Sequence, residues 1–368
     1  MKVTISRNIS ANNTSRHTRE SIYPIEAIMI NKLIKTLDLI KTVGIYQAWS
    51  AVYYRLYMHF TTKILNKDFI IKPILEYKMK LPIDAEGLKG IAFPLAVYGV
   101  REEDQLLIIR EELHPGMRVL DIGGNIGYYA LLLGSIVGSE GKVYSFEPSS
   151  ENFDLLNENI QLNRMEATIE TFHAGISDTV GTDTLYLSEQ SNSHSFFDTT
   201  NYPKYEATSF QPCIEKIDMI DIDTFVEDRA PIHFIRMDIE GFEVMAFRGM
   251  RSFIEKSSHE IKILFEVHRS RYDDGKFNMK KELRWLFDAG FIPKTLIAKP
   301  LLESKPWGLD PFLKKGYSPD HVIKTDRLER GYYTNISNED TINYVCSIGC
   351  VRALLLTRNS TFKKQRLA

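Results

Sequence analysis

The pattern of apolar and polar positions changes character along this chain of 368 residues. Residues 1–23 are polar, show no sustained hydrophobic period and read as a flexible N-terminus. From Pro24 the period is helical: Ile30, Leu33, Ile34, Leu37 and Ile40 fall on one face, with Lys32, Lys35 and Lys41 among the polar positions. A second segment, IYQAWSAVYYRLYMHFTTKIL, is rich in aromatics and carries basic residues at intervals. Residues 24–95 are therefore expected to form a helical extension. It would be either a cap on the main domain or a set of amphipathic helices that make peripheral contact with a membrane or grip a partner. The small excess of positive charge favours the cap.

Residues 96–368 read as one α/β domain, because short strand-like runs alternate with helical ones from about Leu106. MRVLDIG, GKVYSFEP, ATIETFHAGISD, HFIRMDIEG and IKILFEVH are strand-like. GYYALLLGSIV, SENFDLLNENIQLN, FEVMAFRGMRSFIEKS and MKKELRWLFDAG are helical, and VRALLLTRN belongs to a C-terminal segment, NYVCSIGCVRALLLTRN, that reads as a last strand. A polar stretch near 179–212, rich in Ser, Thr and Asn, reads as a surface insertion or small hairpin.

Composition narrows the classes. A formal net charge of -2 speaks against a general nucleic-acid binder, which carries a basic excess. Three cysteines, Cys213, Cys346 and Cys350, make no disulfide framework and suit a reducing compartment. No signal-like N-terminus and no apolar run of about 18 residues is present, so a cytoplasmic protein is expected, with membrane association through the N-terminal helices left open.

The chemistry-bearing residues fall just after the strands, where ligands bind in open α/β sheets. Asp121 ends the first strand and leads into Gly123, Gly124, Asn125 and Gly127. A dinucleotide fingerprint needs G-x-G-x-x-G, and Asn125 stands where its second glycine belongs. The turn therefore suits an amine and a sugar better than a diphosphate, although a simple helix-capping acid with packing glycines would leave the same trace. Glu147 ends the second strand, where a carboxylate can accept from both hydroxyls of a ribose. Its plain alternative is a helix-initiating acid. In IRMDIEGFE, Asp238, Glu240 and Glu243 crowd one strand end; burying such a group costs free energy unless it is paired or used. Asp238 can accept a proton from a substrate hydroxyl, or the three acids can hold a divalent metal. Glu240 and Glu243 also read as first-turn acids on a helix dipole. Glu266 and His268, two apart at the end of the fifth strand, point to one face of the same rim. His268 is there either a catalytic aid or a structural hydrogen-bonding residue.

These segments together resemble the FkbM-type S-adenosylmethionine-dependent methyltransferases. The likeness rests on HPGMRVLDIGGNIGYYALLL, GKVYSFEPSSENFDLLNENIQLN, IDMIDIDTFV, HFIRMDIEGFEVMAFRGM and ILFEVH, and runs roughly from Val100 to Phe291. It implies a Rossmann-like class I methyltransferase sheet of seven mostly parallel strands flanked by helices. It also implies methyl transfer from S-adenosylmethionine, usually to a hydroxyl oxygen of a small molecule, sugar or lipid. By the same likeness Asp121 would serve the methionine end of the cofactor and Gly123 to Gly127 its close passage. Glu147 would hold the ribose, the backbone of Gly175, Ile176 and Ser177 would border the adenine, and Asp238 would stand next to the methyl donor. The family usually has Ala where Gly124 stands, a change the turn should accept, and Lys where Arg236 stands, which puts any role of that amine in doubt. A nicotinamide oxidoreductase and a non-catalytic Rossmann-like module are the rival readings.

Overall fold

The computed structural model describes residues 45–83, 90–188, 194–198, 213–229, 231–298, 311–324 and 329–358. The expected N-terminal segment 1–23, the apolar face from Ile30 to Ile40 and much of the 179–212 stretch lie outside the described residues. The chain divides into a unit Met1–Ala48, of which only the start of one helix is described, and a unit Trp49–Ala368 that holds all that follows.

Fourteen strands are described, in chain order β1 (Phe69–Ile74), β2 (Tyr77–Pro82), β3 (Arg118–Ile122), β4 (Lys142–Phe146), β5 (Ile169–Phe172), β6 (Gly175–Ile176), β7 (Gly181–Tyr186), β8 (Ile214–Ile220), β9 (Phe234–Met237), β10 (Ile261–Glu266), β11 (Ile292–Ala298), β12 (His321–Lys324), β13 (Glu329–Tyr333) and β14 (Val351–Arg358). The helices used below are α1 (Ile45–Lys63), α2 (Ala92–Tyr98), α3 (Glu103–Glu112), α4 (Tyr128–Val137) and α5 (Ser150–Leu162).

Among the described residues the main sheet has nine strands in the order β12-β13-β11-β14-β10-β9-β3-β4-β5. Strands β5, β4, β3, β9 and β10 run parallel, and β14 lies antiparallel to both β10 and β11. The seven strands from β5 to β11 give the seven-stranded, mostly parallel sheet that the family resemblance implies, and β13 and β12 widen one edge. The chain steps outward from β3 to β5 and then returns to lay β9 on the other side of β3. The strand ends at β3 and β9 therefore form the switch point, where the loops part and leave a crevice. Strands β9 and β10 are buried at every position, as the central strands of a covered parallel sheet are, with Arg236, Lys262 and Glu266 among the buried side chains.

Three expectations change. The extension 24–95 is not wholly helical, since β1 and β2 pair as an antiparallel hairpin within it. The alternation is in the sequence: Tyr77, Met79 and Leu81 point inward and are buried between more exposed lysines. Two amides, Asn159 of α5 and Asn163 at its C-terminal cap, bind the free edge of β2 as a neighbouring strand would. Asn163 pairs with Lys78 through its backbone N–H at 2.9 Å and C=O at 2.7 Å, and Asn159 accepts the Lys80 N–H at 2.6 Å. The run ATIETFHAGISD is two strands, not one: β5 stays in the main sheet and β6 joins the separate sheet β6-β8-β7. In the C-terminal run only Val351–Arg358 is a strand, and Asn343–Ile348 form a π-helix.

Candidate active site

The site begins with strand register. Asp121 faces Ser145 across β3–β4 and Arg236 across β3–β9, so three polar side chains stand in one row inside the sheet. Asp121 is fully buried and accepts from Ser145 Oγ at 2.9 Å and from Arg236 Nη1 at 3.5 Å. Burial pushes its carboxyl above the ordinary value, and the Arg236 guanidinium opposes that. Arg236 also donates to the Gly123 carbonyl at 2.9 Å and to Asp238 Oδ2 at 3.0 Å, and its guanidinium lies 4.0 Å from the Tyr129 ring centre. The position for which the family likeness left any role in doubt is thus the tie between the first and fourth strand ends.

The glycine turn is forced by this closeness. Gly123 has φ +89°, and a Cβ there would stand 2.2 Å from the Asp238 carbonyl oxygen. Its N–H and that of Gly124 both reach the Phe146 carbonyl at 2.9 Å, which closes the turn onto β4. Glu147, just past β4, accepts the Asn125 N–H at 2.8 Å on Oε2 and the Ser149 N–H at 2.9 Å on Oε1. Burial lifts its carboxyl to about 7 in spite of those donors.

The other wall is built on β9 and β10. His268 Nδ1 lies 2.9 Å from Glu243 Oε1, and Tyr272 donates its hydroxyl to Glu243 Oε2 at 3.2 Å. The Gly241 N–H also reaches Glu243, at 3.3 Å. The buried Glu243 therefore fixes the imidazole, and this corrects its expected place among metal ligands. The groups that do converge are Asp238, Glu240 and His268, whose ligand atoms lie within 4.8 Å of one another. His268 Nε2 stands 3.7 Å from Asp238 Oδ1, 3.6 Å from Glu240 Oε2 and 3.4 Å from Glu266 Oε1. Burial favours the neutral ring, but Glu243 and the carboxylates around it overcome that and raise His268 to about 9. Glu240, in the left-handed region at φ +53°, is lifted to about 7 by burial, with Asp238 and Glu243 adding to the effect.

One pocket gathers most of these groups, with His268 and Glu243 outside its lining. Gly123, Gly124, Asn125, Glu147, Arg236, Asp238, Glu240 and Glu266 line it, together with Arg101, Glu102, Tyr129 and Arg352. Asp121 and Gly127 stand behind the lining: Asp121 in the sheet, and Gly127 against Leu156 of α5. Gly175, Ile176 and Ser177 do not line it; Gly175 and Ile176 pair with Met219 and Ile220 in the smaller sheet. Sequence reasoning missed Arg101, Glu102, Tyr129 and Arg352. The Glu102 carboxylate binds Arg101 Nε at 3.0 Å, the Tyr129 hydroxyl at 2.7 Å and Arg352 Nη2 at 2.9 Å. Burial raises it, yet the two arginines prevail and hold it at about 2. Only the charge run at 101–104 hinted at this network, because its partners lie far off in the chain.

The family profile described as Methyltransferase FkbM domain matches residues 121–293. A protein-L-isoaspartate O-methyltransferase of Methanothrix thermoacetophila is 34% identical over 79 residues, covering 22% of this chain and 34% of the relative. The hexuronic acid methyltransferase AglP of Haloferax volcanii is 24% identical over 45% of this chain and 62% of its own length. Among solved structures, a methyltransferase FkbM from Methylobacillus flagellatus matches at 16% identity with a TM-score of 0.35, covering 83% of this chain and 60% of its own. The chain thus spans about a third of the first of these relatives and under two-thirds of the other two.

Proposed function

From a chain whose residues 121–293 form a methyltransferase FkbM domain, we propose an S-adenosylmethionine-dependent methyltransferase that acts on a hydroxyl oxygen. The observation that carries this reading is the lining of one pocket by the glycine turn, Glu147 and Asp238. When bound, S-adenosylmethionine supplies an electrophilic methyl group on a sulfonium. The residues fit it: the turn at Gly123 leaves no room for a Cβ, and the Glu147 carboxyl sits in the lining beside it. Glu147 would accept from the ribose hydroxyls, and Asp121, held by Arg236, would set the far end of the turn.

The chain's own task is to align the acceptor and take its proton. Alignment alone is worth several kcal/mol, and a positioned base adds about 10²–10⁴-fold. Asp238 is the base: it lines the pocket, Arg236 donates to its Oδ2 at 3.0 Å, and Oδ1, 3.7 Å from His268 Nε2, is left to take the proton. The acceptor O–H proton passes to Asp238 as the oxygen takes the methyl group. His268 holds its proton up to about pH 9, so it orients and balances charge and does not compete as the base. A divalent cation on Asp238, Glu240 and His268 would find two carboxylates and an imidazole only once His268 gave up its proton, and held there it would polarise the acceptor oxygen. The resemblance leaves small molecules, sugars and lipids as acceptors, and the hexuronic acid methyltransferase among the relatives favours a sugar.

The test pairs calorimetry with labelled methyl transfer into defined sugars and fractionated cell extract. Asp238→Asn should lower turnover by about 10²–10⁴-fold while S-adenosylmethionine binds within about threefold of wild type. Loss of cofactor binding in that variant would move Asp238 into the cofactor site. A protein that binds NADH and ignores S-adenosylmethionine would overturn the reading, and an unchanged rate after chelation would remove the cation.

A further inference from the structure

Helix α1 carries a second apolar face that no described residue covers. Thr61 and Met58 are buried and Tyr54 packs on the core, so one side of the helix is seated. Ser50 on that side donates its hydroxyl to the Val97 carbonyl of α2 at 3.0 Å. The opposite side shows Trp49 at 68% exposure, Tyr53 at 60%, Leu56 at 68%, Phe60 at 47% and Ile64 at 68%. Their spacing of three and four residues makes one continuous stripe along the helix. A stripe of this size on a soluble domain needs an occupant.

Charge and composition select it. No Asp or Glu occurs between Ile45 and Lys67, while Arg55, Lys63 and Lys67 add positive charge to a chain whose net charge is -2. Trp and Tyr are the side chains whose rings sit at the level of lipid headgroups. A second copy of the chain would bring the same cations to the same seam and no acid to pair them. No described helix is long and apolar enough to cross a membrane, so a helix of this kind lies along a bilayer and not through it. We propose that the stripe from Trp49 to Phe60 of α1, continued by Ile64 just past the helix end, docks the protein on the surface of an anionic phospholipid bilayer, with Lys63 and Lys67 on the headgroups. This stands apart from the methyl-transfer reading. The same helix is fastened by its other side to α2, and Ile91 and Arg101 on either side of α2 line the pocket.

The experiment reads Trp49 emission in the full-length protein with vesicles of phosphatidylcholine containing about one-third phosphatidylglycerol, the Trp49→Phe variant supplying the background of Trp285 and Trp307. A blue shift is expected with the anionic vesicles. It should vanish in Leu56→Glu, an exposed position whose change leaves the far-UV dichroism intact. In Lys63→Glu/Lys67→Glu, apparent binding should weaken at least about tenfold. The proposal fails if wild type gives no shift, or if neutral vesicles work as well as anionic ones. It fails equally if Trp49 is already shielded from iodide without lipid, since the chain itself would then cover the stripe. A concentration-dependent dimer dispersed by Leu56→Glu would assign the stripe to a second copy and overturn it too.

Discussion

Glu147 shows how one residue can carry two opposed demands. It is buried, which favours the neutral acid, yet two backbone N–H groups are aimed at its oxygens. Burial prevails and its value stands at about 7 against an ordinary 4.5. A raised carboxyl stabilises the fold in its protonated form, fully below the unfolded value, and that contribution is lost as pH rises through about 7. Glu147→Gln cannot ionise, so urea unfolding at about pH 5 and about pH 8 should move against wild type relative to the variant, by up to about 3 kcal/mol. A flat difference would mean that Glu147 is ionised throughout. At this scale the sequence was readable for acids that end strands: Glu147 and Asp238 line the crevice, and Asp121 stands behind the lining in the sheet. It was not readable for Glu243, because the spacing of three acids says nothing about which one will meet His268 25 residues on.

The glycine turn is the element in which local sequence and neighbouring strands meet. By family likeness Ala at position 124 is a mild change, but the packing around Gly124 disagrees. A Cβ there would stand 2.3 Å from Ser145 Oγ, the hydroxyl that donates to the buried Asp121. Making room means turning that hydroxyl away and leaving a buried carboxylate oxygen without a partner. Gly124→Ala should therefore cost about 1–3 kcal/mol in thermal or chemical unfolding. Adding Ser145→Ala, which removes the clash together with the bond, should recover more than half of the extra loss in a double-mutant cycle. Simple additivity of the two changes would show that the hydroxyl is not what limits position 124. The hairpin β1–β2 carries the same lesson. Its period of two was in the sequence, but it was read within a helical extension, and the amides of Asn159 and Asn163 that hold its edge sit 79 and 85 residues away.

Across the whole molecule, the widened sheet edge is tied by a buried ion pair to α3, the helix that follows Arg101 and Glu102 of the pocket. Asp104 in α3 is fully buried and pairs with Arg330 of β13 at 2.6 Å, 226 residues on. Removing one partner leaves the other charged and buried, so Asp104→Ala should destabilise the protein by about 3–5 kcal/mol. Asp104→Leu combined with Arg330→Met should restore most of this in guanidinium unfolding, and equal losses in single and double variants would show that the pair is not the source. Long reach of this kind marks what the sequence could and could not determine. Period and apolar runs specified the parallel sheet, and the strand-end acids and glycines specified where its crevice lies, because both depend on interactions within one or two turns of chain. Pairing across the sheet decided the rest. Strand register set Arg236 between Asp121 and Asp238, Glu102 was joined to Arg352 across 250 residues, and His268 was turned by Glu243. Charge partners are chosen by distance in space, and only the folded chain defines that distance.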